Sequence, residues 1–207
     1  TDLDLFYMIN DKIRSIVVTG TNGKSTTCKI LEHLLKKNKI NSALGGNIGK
    51  PVLSLNLKKN SFVIIEASSF QLAYSKFINP DYAMILNITN DHLDWHGSMK
   101  NYINAKLKIF SLQNKKNYAF ISDKKIIKKY KKNKYLGKLI RVRLNSYSNI
   151  KDKINNNYLD YDANKENMSF ALAISKILKI KEKSFIKSLK SFKGLPHRYE
   201  IFLKKKK

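Results

Sequence analysis

The chain carries a run of β-branched residues, Arg14-Ser15-Ile16-Val17-Val18-Thr19, that turns through Gly20-Thr21-Asn22-Gly23 directly into Lys24-Ser25-Thr26. Beyond it, Ile30, Leu31, Leu34 and Leu35 recur at helical spacing as far as Lys36-Lys37-Asn38. The first run reads as a buried strand and the second as an amphipathic helix. Few folds accept a strand that passes through glycines straight into a helix. In such a turn the backbone N–H groups can close around an oxyanion, and the helix adds the positive end of its dipole. Lys24 then has the reach for the β- and γ-phosphates of a nucleotide, and Ser25 offers a hydroxyl to Mg²⁺. The eight-residue phosphate-loop pattern is incomplete, because Val18 stands where its first glycine belongs. An ordinary glycine turn before a helix is the competing reading.

Further strands are predicted over 42–44, 62–66, 82–88, 118–121 and 138–142, and helices over 99–112, 164–178 and 182–192. The apolar strand Phe62-Val63-Ile64-Ile65 suits a parallel sheet covered on both faces. Residues 144–162 are polar and asparagine-rich and read as loops or a small hairpin. Alternation of strand and helix predicts an α/β fold with a mostly parallel sheet and ligands at the carboxyl ends of its strands.

Composition removes other classes. With 43% hydrophobic residues in 207, the chain can bury one substantial core, which excludes a disordered tail. The single cysteine, Cys28, forms no internal disulfide, fits a reducing compartment, and reads as a packed side chain in the helix. No apolar run is long enough to span a membrane, so a cytoplasmic, monomeric chain is expected. The net charge of +26 invites nucleic acid as a partner. Residues 111–207 carry 27 basic and 7 acidic side chains, but only four of the chain's cations are Arg: Arg14, Arg141, Arg143 and Arg198. With no nucleic-acid-binding motif present, a solvated lysine surface is preferred and no nucleic-acid partner is expected.

Three side chains stand out at the predicted sheet edge. Glu66 ends an apolar strand, where a carboxylate needs a partner, a metal or solvent. His92 follows the fourth strand in Asn90-Asp91-His92, with Asp91 and Asp94 either orienting it or capping the next turn. Lys106, four residues after Tyr102 and three before Ile109, faces inward; a snorkelling lysine is the plain alternative.

Six segments occur in order: Thr19–Thr26, Gly45-Gly46-Asn47-Ile48-Gly49, Glu66-Ala67-Ser68-Ser69-Phe70-Gln71-Leu72, Asn87-Ile88-Thr89-Asn90-Asp91-His92-Leu93-Asp94, Ala105-Lys106 and Gly194-Leu195-Pro196-His197-Arg198. Together they resemble the Mur ligase family, the ATP-dependent amide-bond enzymes of cell-wall synthesis, over about residues 3–202. The resemblance implies the P-loop NTPase-like central domain of a three-domain enzyme. Residues 1–10 would be the junction from a missing N-terminal domain for the UDP-substrate, 11–193 the ATP-binding domain, and 194–207 a linker into a missing C-terminal domain. The Ser68–Leu72 segment resembles the branch that adds D-glutamate to UDP-N-acetylmuramoyl-L-alanine through an acyl phosphate. A sibling ligase, a folylpolyglutamate synthase and a basic nucleic-acid-binding module are the alternatives.

Residue roles follow from the same resemblance. Gly20, Thr21, Asn22, Gly23, Lys24, Ser25 and Thr26 would hold the phosphates of ATP. Ser25, Glu66, His92 and a carbamylated Lys106 would hold Mg²⁺ at two sites, with His92 also near the substrate carboxylate. Lys24, Glu66, His92 and Lys106 form the implied catalytic set, and Asn47 lies on the substrate side. Asn164 and Asn167 would contact the adenine end, although Ala163 replaces the family's usual His, and Arg198 would reach the nucleotide from the domain junction. The 207-residue piece by itself is expected to be inactive as a ligase.

Overall fold

A computed structural model describes residues 1–10 and 12–195. Its element order is α1 (Asp2–Ile9), β1 (Arg14–Thr19), α2 (Lys24–Lys37), β2 (Ser42–Gly46), β3 (Phe62–Glu66), α3 (Ser69–Tyr74), β4 (Tyr82–Ile85) and α4 (Leu93–His96). There follow α5 (Met99–Leu107), β5 (Tyr118–Ile121), α6 (Lys124–Lys132), β6 (Lys138–Arg141), α7 (Lys151–Ile154), α8 (Asp162–Ile177) and α9 (Glu182–Lys190). The strands form a six-stranded sheet in the order β2-β3-β1-β4-β5-β6, and every pair is parallel. The expected α/β class is present, with the sheet wholly parallel. Strand order reverses at β1, which opens the crevice used by ligands in such sheets beyond its carboxyl end.

The pleat of β1 and β3 divides the interior into two cores. Ile16, Val18, Phe62 and Ile64 face α2, α8 and α9, where Ile30, Leu31, Leu34 and Leu35 are buried as their spacing predicts. Val17, Val63 and Ile65 face the other way, toward Leu3, Phe6, Leu107 and Phe110. Among the described residues no helix is long and apolar enough to cross a membrane.

Three expectations are corrected. The helix predicted over 99–112 stops at Leu107, and Lys108–Phe110 tightens into a 3-10 turn that buries Ile109 and Phe110 completely. An apolar pattern does not separate a three-residue repeat from a four-residue one. The strand predicted over 82–88 leaves the ladder after Ile85, so Asn87 and Ile88 belong to a loop. Residues 144–162 contain no hairpin; a 3-10 turn at Leu144–Ser146 and the short α7 carry Tyr147, Ile150, Ile154 and Leu159 into the core. Asn156 fixes this segment by donating to the carbonyls of Leu189 (2.9 Å), in the last turn of α9, and Phe192 (2.8 Å), just past it.

The N-terminal helix is part of the same packing. Asp4, buried at 7% exposure, accepts from the backbone N–H groups of Lys76 (2.9 Å) and Phe77 (2.8 Å), tying α1 to the segment before β4. Asp4→Ala leaves both donors without their acceptor and is expected to cost about 2–4 kcal/mol. Asp2→Ala, whose carboxylate only meets Gln71 at 3.3 Å, should cost under about 1 kcal/mol. Urea denaturation of the two variants checks the difference; equal midpoints would refute it.

Candidate functional site

The phosphate loop forms where β1 ends. Gly23 caps α2 in the left-handed region (φ 81°), and a Cβ there would lie 2.2 Å from Oδ1 of Asn167 on α8. Only glycine allows both that backbone and that approach. Ser25 and Thr26 stand in the first turn of α2, where helix geometry supplies no intrahelical partner for the N–H groups. The ammonium of Lys24 folds back on its own loop, donating to the carbonyls of Gly20 (3.0 Å) and Thr21 (2.7 Å). These bonds keep the lysine tip over the loop.

Parallel register carries Glu66 to the same edge, because Val18 of β1 pairs with Glu66 of β3. Glu66 is 2% exposed; its Oε1 accepts from Asn47 Nδ2 (3.1 Å), while its Oε2 is buried with no hydrogen-bond partner. The glycine loop after β2 is shaped around it. Gly46 (φ 97°) passes so close that a Cβ would come within 2.4 Å of the Glu66 carbonyl oxygen, and Asn47 N–H donates to that oxygen at 2.8 Å. A buried carboxylate oxygen with no donor costs several kcal/mol unless a cation meets it. The oxygen-donor chemistry and the orphaned lone pair both suit a hard divalent ion. Among the described residues no group of three His, Cys, Asp or Glu side chains converges as a metal set.

Lys106 enters from the opposite face. It is 1% exposed and donates to the Gly20 carbonyl (2.9 Å), with Thr19 Oγ1 at 3.5 Å and the Tyr102 ring 4.6 Å from its nitrogen. Two ammonium groups, Lys24 and Lys106, therefore share one carbonyl oxygen. Burial, and then the Lys24 charge, lower the Lys106 pKa to about 7, against a smaller opposing pull from Asp91. The inward direction predicted from its spacing is what the structure has. Tyr102 also bonds Thr21 Oγ1 through its hydroxyl (3.0 Å), so one side chain touches both the phosphate loop and the buried lysine.

His92 caps α4 in a left-handed conformation (φ 52°), with Nε2 3.4 Å from Asp91 Oδ2 and its ring 4.8 Å from Phe70. Its side chain is 45% exposed, and its ring lies 6.5 Å from that of Tyr102. Thr89, three residues earlier, exchanges bonds with Thr21: its N–H donates to Thr21 Oγ1 (3.0 Å), which keeps this loop on the phosphate loop.

Asn167 and Asn164 form the far wall. Thr27 Oγ1 donates to Asn167 Oδ1 (3.1 Å), Asn167 Nδ2 donates to Asn164 Oδ1 (3.1 Å), and Asn164 Nδ2 donates to Tyr158 O (2.7 Å). These bonds dock α8 on α2 just behind the loop. Arg198 and His197 lie outside the described residues. Cys28 is fully buried, and burial together with the Glu66 charge pushes its thiol well up, so it is a packing residue.

Three residues of the site had no role assigned from sequence. Tyr102 counted only as part of a helical face, and Asn87 only as part of a segment. Glu166 carried no signal at all. Asn87 is the nearest support of the loop: its carbonyl accepts from Thr21 N–H (2.9 Å), and its Oδ1 accepts from Asn22 N–H (2.8 Å).

The Lys106 environment yields a pH prediction. Its folded-state pKa lies below the ordinary lysine value of 10.5. Between the two values the unfolded chain holds a proton that the folded chain lacks, so this group's contribution to stability rises with pH and is flat below about 7. Lys106→Met removes that dependence. The stability advantage of the variant over the parent should shrink by up to about 1.4 kcal/mol per pH unit from pH ~7 to ~10. Paired urea titrations across that range check it, and a constant gap would refute it.

Comparison with known proteins bears on the same residues. The Mur ligase middle domain model matches residues 18–188. The UDP-N-acetylmuramoylalanine–D-glutamate ligase of Rickettsia felis is 35% identical, covering 97% of this chain and 49% of that protein. The enzyme of the same name from Rickettsia prowazekii is 36% identical with the same coverage. The chain thus spans about half the length of the curated relatives it matches. Among solved structures, the MurF ligase of Thermotoga maritima in complex with ADP superposes with a TM-score of 0.69 over 99% of this chain and 54% of that one, at 19% identity, a likeness of fold alone. A parallel sheet that reverses at the phosphate-loop strand, matched along most of its length by one family model, makes this chain a member of the Mur ligase family.

Proposed function

We propose that this chain is the ATP-binding part of a ligase that joins D-glutamate to UDP-N-acetylmuramoyl-L-alanine, forming ADP and phosphate. The observation that carries this reading is the meeting of Lys24 and Lys106 on one Gly20 carbonyl, at the sheet edge where Glu66 Oε2 lies buried without a donor. Such a place gathers two lysine nitrogens beside a buried carboxylate oxygen that has no hydrogen-bond partner. A nucleotide polyphosphate with a divalent ion suits both. Relatives about 35% identical that bear the name of the D-glutamate ligase support the substrate choice over a sibling ligase.

In this reading the substrate carboxylate attacks the γ-phosphate of ATP, ADP leaves, and the amine of D-glutamate displaces phosphate from the acyl phosphate. Phosphoryl transfer of this kind is mostly positioning and charge neutralisation. Lys24 exchanges its two loop carbonyls for phosphate oxygens. Gly20–Thr26 enclose the phosphates, while Thr21 and Asn22 stay tied to Asn87. Ser25, Glu66 and His92 would hold Mg²⁺, which neutralises phosphate charge when bound. Lys106 joins them as a carbamate: its neutral amine adds to the carbon of CO₂ and loses a proton, which turns a cation into an oxygen ligand. A pKa of about 7 keeps a large neutral fraction available for that addition. Asn47, hydrogen-bonded to Glu66, is set on the substrate side. Asn164 and Asn167 would trade part of their mutual bonding for the adenine, and Arg198 would close on the nucleotide. The protein acts in the cytoplasm as a monomer, with the remaining half of the relatives' length completing the substrate sites.

The test uses both the chain and its full-length parent. MgATP binding to the 207-residue chain, followed by calorimetry, should weaken about tenfold or more in Lys24→Ala. With the full-length protein, phosphate release should require ATP, UDP-N-acetylmuramoyl-L-alanine and D-glutamate. It should fall about 100-fold or more in Glu66→Ala and in Lys106→Ala. Release that prefers another amino acid would move the protein to a sibling activity. Full turnover by the 207-residue chain would overturn the need for the rest of the parent.

A further inference from the structure

Glu166, on α8 immediately before Asn167, belongs to none of the six segments that carry the family resemblance, yet it closes a chain of hydrogen bonds that ends on the phosphate loop. Its Oε2 accepts from Asn87 Nδ2, and its Oε1 faces Ser122 Oγ at 3.2 Å, a hydroxyl that also lies 3.1 Å from the Leu86 carbonyl. Asn87 uses the rest of its amide on the loop: Oδ1 accepts from Asn22 N–H (2.8 Å), and Nδ2 donates to the Asn22 carbonyl (3.2 Å). The two Nδ2 protons therefore go to two acceptors, one in the loop and one on α8.

An asparagine amide has two orientations of nearly equal shape and opposite polarity. Turned over, Asn87 would set Oδ1 against the Glu166 carboxylate and its NH₂ against the Asn22 N–H, replacing attractive contacts by repulsive ones at each end. A carboxylate accepts only, so its presence selects one orientation, and a charge-assisted bond makes the selection strong. We propose that Glu166 is a positioning residue for the phosphate loop: it locks the Asn87 amide with Oδ1 toward Asn22, and through Asn87 holds Thr21 and Asn22 in the shape that cradles a phosphate. The same helix presents Asn167 to Gly23 and Thr27, so α8 grips the loop at both ends.

A merely structural role, docking α8 on the sheet, makes a different prediction, and amide hydrogen exchange separates the two without any ligand. In Glu166→Ala the Thr21 and Asn22 amides should exchange about tenfold faster, the equivalent of one charge-assisted hydrogen bond, while amides inside α8 such as Phe170 and Leu172 keep their protection. Glu166→Gln, which can still turn an oxygen to Asn87, should restore most of the protection. Unchanged exchange at Thr21 and Asn22 in Glu166→Ala, or a uniform rise across α8 and the sheet, would overturn the proposal. If Glu166→Ala fails to fold, Glu166→Leu and Asn87→Ser carry the test, and unchanged loop exchange in both overturns it. A second measurement rests on the nucleotide reading: the Kd for MgADP should rise about tenfold in Glu166→Ala. Faster loop exchange in a chain whose parent binds no MgADP would uphold the positioning role and overturn the nucleotide reading.

Discussion

The pairing of β1 between β3 and β4 governs everything at the site. Val18 stands opposite Glu66 on one side and Met84 on the other, and Thr19 opposite Ile85, so three chain segments leave the sheet at the same level. Parallel strands deliver their carboxyl ends to one edge, and the alternating pleat sends successive side chains into two separate cores. A slip of one residue would exchange those faces and move Glu66 off the level of the loop. The register is secured by complete burial of Ile16, Val17 and Val18 on both faces.

The site built at that edge is electrostatically unfinished. Two ammonium groups approach one carbonyl oxygen, and a carboxylate oxygen is buried with no donor beside the same strand end. Neither arrangement is favourable in a low-dielectric interior, since like charges repel and a desolvated carboxylate oxygen lacks a donor. The surrounding packing holds them in place, as strained and unsatisfied groups persist only where the rest of the structure over-determines them.

The two cores divide the labour. On one side α2, α8 and α9 pack together, and α8 reaches the loop through Asn167 and Glu166. On the other, α5 supplies Lys106 and Tyr102 from a helix whose neighbours Leu107, Ile109 and Phe110 are buried. Tyr102 joins the halves, with its ring by the lysine and its hydroxyl on Thr21.

Sequence by itself determined the strand–glycine–helix unit, the all-apolar strand ending in Glu66, and the inward direction of Lys106. Each of these rests on local spacing and on the residue types that glycine turns, buried strands and helical faces require. The short turn at Lys108–Phe110 was not legible, because three- and four-residue periods look alike over so few residues, and the turn at Leu144–Ser146 was hidden by a polar, asparagine-rich composition that reads as loop. Asn87, Tyr102 and Glu166 were invisible as support for a different reason. Asparagine, tyrosine and glutamate are ordinary on any surface, and their roles come from partners 65, 81 and 79 residues away. Only the tertiary structure decided which lone pair faced which N–H, because hydrogen-bond direction is set by where separate elements meet and leaves no period in the chain.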